Sequence, residues 1–219
     1  NDIIDSMWDN YGRTLAEYLC LRSFQNNNDH IKILNINKLE SLKNSKDPVL
    51  FFSGHFGNFE LIAMELEKQG FQISALYRKL NNLFLNPIME FLRRSYICKD
   101  QISKPLTGKD KSGTRELLSR VKDKRNIALM VDQKLTEGIT AKLFNEDCYT
   151  TRIPAQFAKK YSYKLVPISM KRIKKYFFEI DILDEINYSK EDTELQITNR
   201  INNVIEKMIK ENPGQWIWT

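Results

Sequence analysis

The chain contains two histidines, His30 and His55, and the second lies in the segment Ser53-Gly54-His55-Phe56-Gly57-Asn58-Phe59-Glu60. An imidazole changes charge near neutral pH, which suits it to removing a proton from a hydroxyl that must act as a nucleophile. Gly54 and Gly57 bracket His55 and permit a tight turn with close backbone approach by a substrate. Glu60 follows five positions later. Within one continuous helix, residues five apart are separated by about 140° and do not meet. With His55 in a loop and Glu60 in the first turn of a helix, the two side chains can converge. The carboxylate would then accept a hydrogen bond from one ring nitrogen and leave the other free as a base. Taken alone, this pair fits a structural histidine better. The flanking glycines, the scarcity of histidine and the position in the chain favour chemistry.

That position follows from the elements around it. Pro48-Val49-Leu50-Phe51-Phe52 is an apolar run of buried-strand length, and Asn58–Lys68 carries apolar residues at helical spacing before Gly70. His55 therefore follows a strand and precedes a helix. The first twenty residues read as an amphipathic helix, Ile31–Ile36 as a short strand and Phe71–Tyr77 as another. Leu83–Arg94 and Lys111–Val121 read as helices, Asn126–Val131 as a strand and Thr151–Tyr161 as a helix with Pro154 in its first turn. Strands at Leu165–Met170 and Tyr176–Leu183 precede a closing helix over Lys190–Lys210. Strands alternating with long helices predict an α/β domain with a largely parallel central sheet flanked by helices. In such sheets ligands bind beyond the carboxyl ends of the strands, where His55 falls.

The composition sets outer bounds. A chain of 219 residues, 42% hydrophobic and 28% charged, fits one folded domain with no linker to divide it. Cys20, Cys98 and Cys148 are odd in number and widely spaced, so neither a disulfide framework nor a zinc pattern follows. Two histidines argue against a multi-histidine metal centre. No apolar run approaches the roughly 18 residues needed to span a bilayer. The chain starts at Asn1 and stops after Gln215-Trp216-Ile217-Trp218-Thr219; the expectation is a piece of a longer protein, with a membrane anchor upstream and a tail downstream.

Charge is unevenly distributed. Between Cys148 and Phe178 there are eight Lys or Arg and no acid, and between Glu179 and Glu194 seven acids and one base, Lys190. Either the two stretches neutralise each other as solvated faces, or the basic one meets an acidic partner such as lipid headgroups, a phosphorylated glycolipid or an acidic carrier protein. No binding module for nucleic acid accompanies the charge.

The segment around His55 resembles the His-x4-Asp/Glu motif of the lipid A biosynthesis acyltransferases, the lauroyl and myristoyl transferases, in its Gly-His-x-Gly-Asn-x-Glu form. The resemblance extends along the chain. Tyr77-Arg78-Lys79-Leu80-Asn81-Asn82 is similar to that family's Tyr-Arg-x-x-Asn-Asn, and Arg93-Arg94 to its arginine-bearing helix. Met130-Val131-Asp132-Gln133 resembles its strand ending in Asp-Gln, and Pro213-Gly214-Gln215-Trp216-Ile217-Trp218 the start of its closing motif. The resemblance implies a glycerolipid-acyltransferase-like fold and transfer of a fatty acyl chain from an acyl carrier protein thioester to a hydroxyl of a lipid A precursor. It implies no cofactor and no metal. His55 is then the general base and Glu60 its orienting partner. Arg78, Arg94 and Asp132 are candidates for the phosphate-sugar or donor site, with Gly57 and Asn58 beside them. Backbone N–H groups near Gly57, or an arginine, would face the oxyanion. The implied location is the inner membrane, with this domain facing the cytoplasm and in contact with the membrane surface.

Alternatives remain at this stage. A glycerolipid acyltransferase would use the same base on a glycerol hydroxyl, but such enzymes usually carry Asn before the histidine and Asp at the fifth position. Gly113-Thr114-Arg115 is similar to part of their Glu-Gly-Thr-Arg block, yet Ser112 precedes it and it lies before the Asp-Gln strand. A noncatalytic lipid- or carrier-binding module would keep the fold. An esterase would admit water, and no Gly-x-Ser-x-Gly elbow is present.

Overall fold

A computed structural model describes residues 2–79, 82–104, 112–133, 135 and 138–218. Its centre is a seven-stranded sheet. The strands are β1 (Ile31–Leu34), β2 (Val49–Ser53), β3 (Ile73–Arg78), β4 (Asp100–Lys104) and β5 (Asn126–Met130), with β8 (Lys164–Lys174) and β9 (Phe177–Ile182). Their order is β1-β9-β8-β2-β5-β3-β4, and every neighbouring pair is parallel except the β8–β9 hairpin. The expected α/β fold with a largely parallel central sheet is the one observed. Two strands outside it, β6 (Ile139–Leu143) and β7 (Glu146–Thr150), form a separate antiparallel ribbon.

Strand β2 lies at the middle, between β8 and β5, and all five of its residues are buried. A strand covered on both faces reads as a continuous apolar run. Alternate side chains feed two cores: Val49 and Phe51 pack on one side, Leu50 and Phe52 on the other. The first core is covered by α2 (Leu21–Asn26), α3 (Ile36–Ser45) and α4 (Glu60–Lys68). The second is covered by α6 (Ser112–Lys122), α7 (Ile153–Tyr161) and α8 (Glu194–Glu211). Helix α8 begins with a full capping box, in which Thr193 accepts from the Gln196 N–H and Gln196 accepts from the Thr193 N–H.

The remaining helices frame the site. Helix α1 (Asp2–Glu17) crosses the carboxyl end of the sheet and packs on the Pro213–Gln215 turn. Helix α5 (Leu85–Leu92) runs into a wider π-helical turn, Arg93–Ile97. Of the segment Tyr77–Asn82, Leu80 and Asn81 lie outside the described residues, as does Lys111 of the helix expected there. Among the described residues no helix is long and apolar enough to cross a membrane.

Within the β8–β9 hairpin, Lys171 stands opposite Glu179. The Arg172 side chain is 8% exposed, its guanidinium paired with Glu17 of α1 and lying over the Phe178 ring. Lys38 bonds Asp184 and Lys164 bonds Asp47. Arg172 therefore does not belong to a solvent-facing basic strip.

Candidate active site

Strand β2 ends at Ser53 beside Met130 of β5, so the loop after β2 and the loop after β5 emerge side by side. This register brings Asp132 to His55. Asp132 Oδ1 is 2.7 Å from His55 Nδ1, and Oδ2 accepts the His55 backbone N–H at 2.7 Å. Trp216 Nε1 donates to the same Oδ2 at 2.7 Å. The Asp132 side chain is 1% exposed and that of His55 16%. Burial alone would push the Asp132 carboxyl up. The charge of His55 and the hydrogen bonds from His55 and Trp216 outweigh it and hold the group below the usual carboxylate range. A buried anion satisfied by three donors fixes the imidazole so that Nδ1 carries the proton and Nε2 keeps its lone pair. The Gln133 amide lies 3.5 Å from Nε2, and the His55 ring packs edge-on against Phe59 at 4.5 Å.

Both glycines are required by close approach. A Cβ on Gly54 would stand 2.6 Å from the Phe56 ring and 2.9 Å from Asp132 Oδ2, so any side chain there would displace the carboxylate. Gly57 has φ +53° and a Cβ would meet Met170 at 3.1 Å. The Gly57 N–H donates to the Gln215 carbonyl at 3.1 Å, and the Ile217 N–H donates to the His55 carbonyl at 3.1 Å. The carboxyl-terminal segment is thereby zipped onto the His55 loop. Asn10 and Thr14 of α1 donate to the Gly57 carbonyl at 3.1 and 2.9 Å. Asn58 Nδ2 donates to Glu17 at 2.8 Å, and Arg172 bonds both Glu17 and Asn10. Gly57 and Asn58, expected beside substrate, instead lock α1 and the last strand-like residues to the loop. The Gly57 N–H is not available to an oxyanion.

Glu60 also departs from expectation. Its carboxylate accepts from Arg93 Nε at 3.1 and 3.3 Å, from Arg93 Nη2, and from the Tyr18 hydroxyl. The pair is well shielded, with side chains 9% and 11% exposed. Burial disfavours the Arg93 cation, but Glu60 more than compensates and raises its proton affinity. Burial, with Glu60 adding to it, likewise raises the Tyr18 phenol. The helix places Glu60 in its first turn as foreseen, but the carboxylate points to the π-helical turn and away from Nδ1, which Asp132 has taken.

Of the two adjacent arginines, Arg93 faces inward and Arg94 outward. Successive helical residues diverge by about 100°, so one neighbour can face the site and not the other. Arg93 lies over the rings of Tyr18 and Tyr77 at 5.9 and 5.3 Å, and its Nη1 is buried without a hydrogen-bond partner among the described residues. Arg94 is exposed and donates to the Gln101 carbonyl at 3.3 Å. Arg78, at the end of β3, is exposed on the rim.

These groups share one cavity of about 520 Å³, within the range of about 300–1,000 Å³ typical of ligand sites. His55, Glu60, Arg93, Gln133 and Arg78 line its mouth and polar flank. Its depth is apolar, formed by Met7 of α1, Ile62 and Ala63 of α4, Ala75 and Leu76 of β3, and Ala128 and Leu129 of β5. No nucleophilic cysteine competes with the histidine there. Cys98 is buried, and burial followed by Glu67 pushes its thiol up to about 12. Among the described residues no cluster suited to a metal ion occurs.

A buried histidine–carboxylate pair at the carboxyl edge of a parallel sheet, with its second imidazole nitrogen on the wall of a largely apolar cavity, has the parts that general-base chemistry needs. The match to a family model agrees: the chain matches the bacterial lipid A biosynthesis acyltransferases over residues 1–219 and belongs to that family. It is an acyltransferase of lipid A biosynthesis. No curated protein matches it significantly.

Sequence reasoning paired His55 with Glu60 and put Asp132 at the phosphate-sugar or donor site, whereas the structure brings Asp132 to His55 Nδ1. It named Arg94 where Arg93 faces the cavity, and missed Tyr18 and Trp216 as parts of the site. Trp216 had a signal, since its segment was among those carrying the family resemblance. Tyr18 had none beyond its place on an amphipathic helix.

Proposed function

We propose that this enzyme transfers a fatty acyl group from an acyl carrier protein thioester to a hydroxyl of a phosphorylated lipid A precursor, with His55 as general base oriented by Asp132. The observation that carries the reading is the Nδ1–Asp132 contact of 2.7 Å, which leaves Nε2 on the wall of an apolar cavity. The acceptor hydroxyl attacks the thioester carbonyl while Nε2 takes its proton. The tetrahedral intermediate then collapses, the C–S bond breaks, and the imidazolium returns the proton to the departing thiolate. Proton transfer by a positioned imidazole contributes about 10²–10⁴-fold. Asp132 stays ionised and stabilises the imidazolium, as the direction of its shift supports.

The oxyanion is met by the Arg93 guanidinium and by the Gln133 amide, both of which line the cavity. Glu60 acts through Arg93: by holding Nε and Nη2 it fixes the guanidinium on the cavity wall. The acyl chain lies in the apolar depth, where Ala63, Ala75 and Ala128 leave room for it. Arg78 on the rim and Arg94 outside it are the candidates for phosphate on the glycolipid. The domain works at the cytoplasmic face of the inner membrane, where acyl carrier protein delivers the donor.

The test is an acyl-transfer assay with a lipid A precursor and a series of acyl carrier protein thioesters, run beside a glycerol phosphate acceptor. Acylation of the phosphorylated glycolipid, abolished by His55→Ala, is expected. Preference for the glycerol phosphate acceptor would refute the substrate assignment and leave the base assignment standing.

A further inference from the structure

Helix α5 is rich in large apolar residues and has none of its residues buried. Leu83 and Phe84, just before it, are 84% and 88% exposed, and Ile88 and Phe91 on the helix are 55% and 65% exposed. A run of large apolar side chains standing in water is costly, and on a soluble monomer such a patch marks a surface that is covered in use. What surrounds it selects the cover. From Arg78 to Lys99 the chain carries Arg78, Lys79, Arg93, Arg94 and Lys99 against a single acid, Glu90. Glu90 is tied down by the Tyr77 hydroxyl and the Asn86 amide at 2.7 and 2.9 Å. Arg78, Lys79, Arg94 and Lys99 are exposed. An exposed apolar segment flanked on both sides in the chain by exposed cations complements an anionic lipid surface: the apolar side chains enter the acyl boundary and the cations sit among headgroups.

We propose that Leu83–Phe91 is the element by which this domain enters the surface of a bilayer containing anionic lipid, and that this seats the cavity mouth at headgroup level. The inference rests on the glycolipid reading above for its purpose, since a lipid-embedded acceptor reaches the site only if the mouth meets the membrane. Arg78, Lys79, Met89 and Arg93 line the cavity and belong to the same stretch of chain as the exposed apolar residues. Docking by Leu83–Phe91 therefore delivers lipid to His55 without its leaving the interface. Trp8 and Leu15 on α1, across the cavity, are exposed as well and extend the same rim.

The experiment is cosedimentation of the full chain with vesicles of phosphatidylcholine plus phosphatidylglycerol, against vesicles of phosphatidylcholine alone. Binding is expected to favour the anionic vesicles and to weaken with salt. The double variant Phe84→Ser/Phe91→Ser is expected to bind about 10-fold less or weaker, while its turnover of detergent-dispersed glycolipid stays at the wild-type level. As a probe that leaves the patch apolar, Phe84→Trp is expected to shift its emission to the blue on anionic vesicles and to be quenched by brominated lipid. Unchanged vesicle binding by the double variant, or no quenching of the tryptophan, overturns the proposal. So does a dimer that the double variant splits while vesicle binding is unaltered, or loss of carrier-protein binding with vesicle binding intact. Vesicle docking through this patch by a protein that acylates no glycolipid in detergent would uphold this inference and defeat the functional reading, so the two fail separately.

Discussion

The loop around His55 and the rim from Arg78 to Arg94 lie on one cavity and are built on opposite principles. In the loop, Asp132 is saturated by three donors, both backbone bonds of the Gly57 peptide are engaged, and α1 is clamped over it through Asn10, Thr14 and Glu17. On the rim, Leu83, Phe84, Ile88 and Phe91 stand open, and Arg78 has no ion-pair partner among the described residues. A base must hold its geometry before substrate arrives, because a catalytic group misplaced by about 1 Å can cost 10²-fold. A surface that meets lipid and phosphate has its partners supplied by the ligand. The difference separates chemistry from recognition, and each can be broken without the other.

The largest expected effect is at the base. His55→Ala should lower kcat by at least about 10²-fold while the thermal melt shows a folded domain. Since His55 and Asp132 act as one unit, adding Asp132→Ala to His55→Ala should cost little more, a non-additivity that steady-state kinetics will reveal. A smaller loss is expected for Arg93→Lys, which keeps the charge but cannot hold Glu60 and reach the oxyanion together; about 10-fold in kcat with KM little changed is anticipated.

On the rim, Arg78→Lys and Arg94→Lys should impair use of the phosphorylated glycolipid more than slow hydrolysis of the acyl donor, measured as the ratio of the two rates. Arg78, which lines the cavity, should matter more than Arg94, which is turned outward. Within the apolar depth, Ala75→Phe should shift preference toward shorter acyl donors with modest loss of rate, read from a series of thioesters.

The smallest effect is on stability. Asp132 titrates below its ordinary value of about 3.9 in the folded protein. Its contribution is therefore complete above the unfolded value and is lost as pH falls through the lower folded one. Urea midpoints measured from neutrality downward should fall below about pH 4 in the wild type, and Asp132→Asn should remove part of that slope.

Most of the fold was legible because its signals are local. The β2 run, buried on both faces, and the periodic helices α1, α4, α7 and α8 come from patterns within one element. Helix α3 and strand β4 went unread: α3 is mostly polar with only Leu39 buried, and β4 is an edge strand whose Asp100, Gln101 and Lys104 hide its pairing with β3. The β6–β7 ribbon alternates charged residues with few apolar ones and has no core of its own to announce it. In the site, the His55–Glu60 pairing was inferred from proximity in sequence. The actual partner is 77 residues away, brought by the β2–β5 register. Choosing between Arg93 and Arg94 depended on the phase of a helix that widens to a π turn at that point, which no period of 3.6 foretells.

The central claim is that His55 is held by Asp132 and that Glu60 serves Arg93. It is tested most directly by single-turnover acyl transfer with Asp132→Asn and Glu60→Gln side by side. Asp132→Asn should fall by about 10² or more through loss of the imidazolium's partner, with Glu60→Gln at least about 10-fold milder. A milder Asp132→Asn and a severe Glu60→Gln would contradict the account.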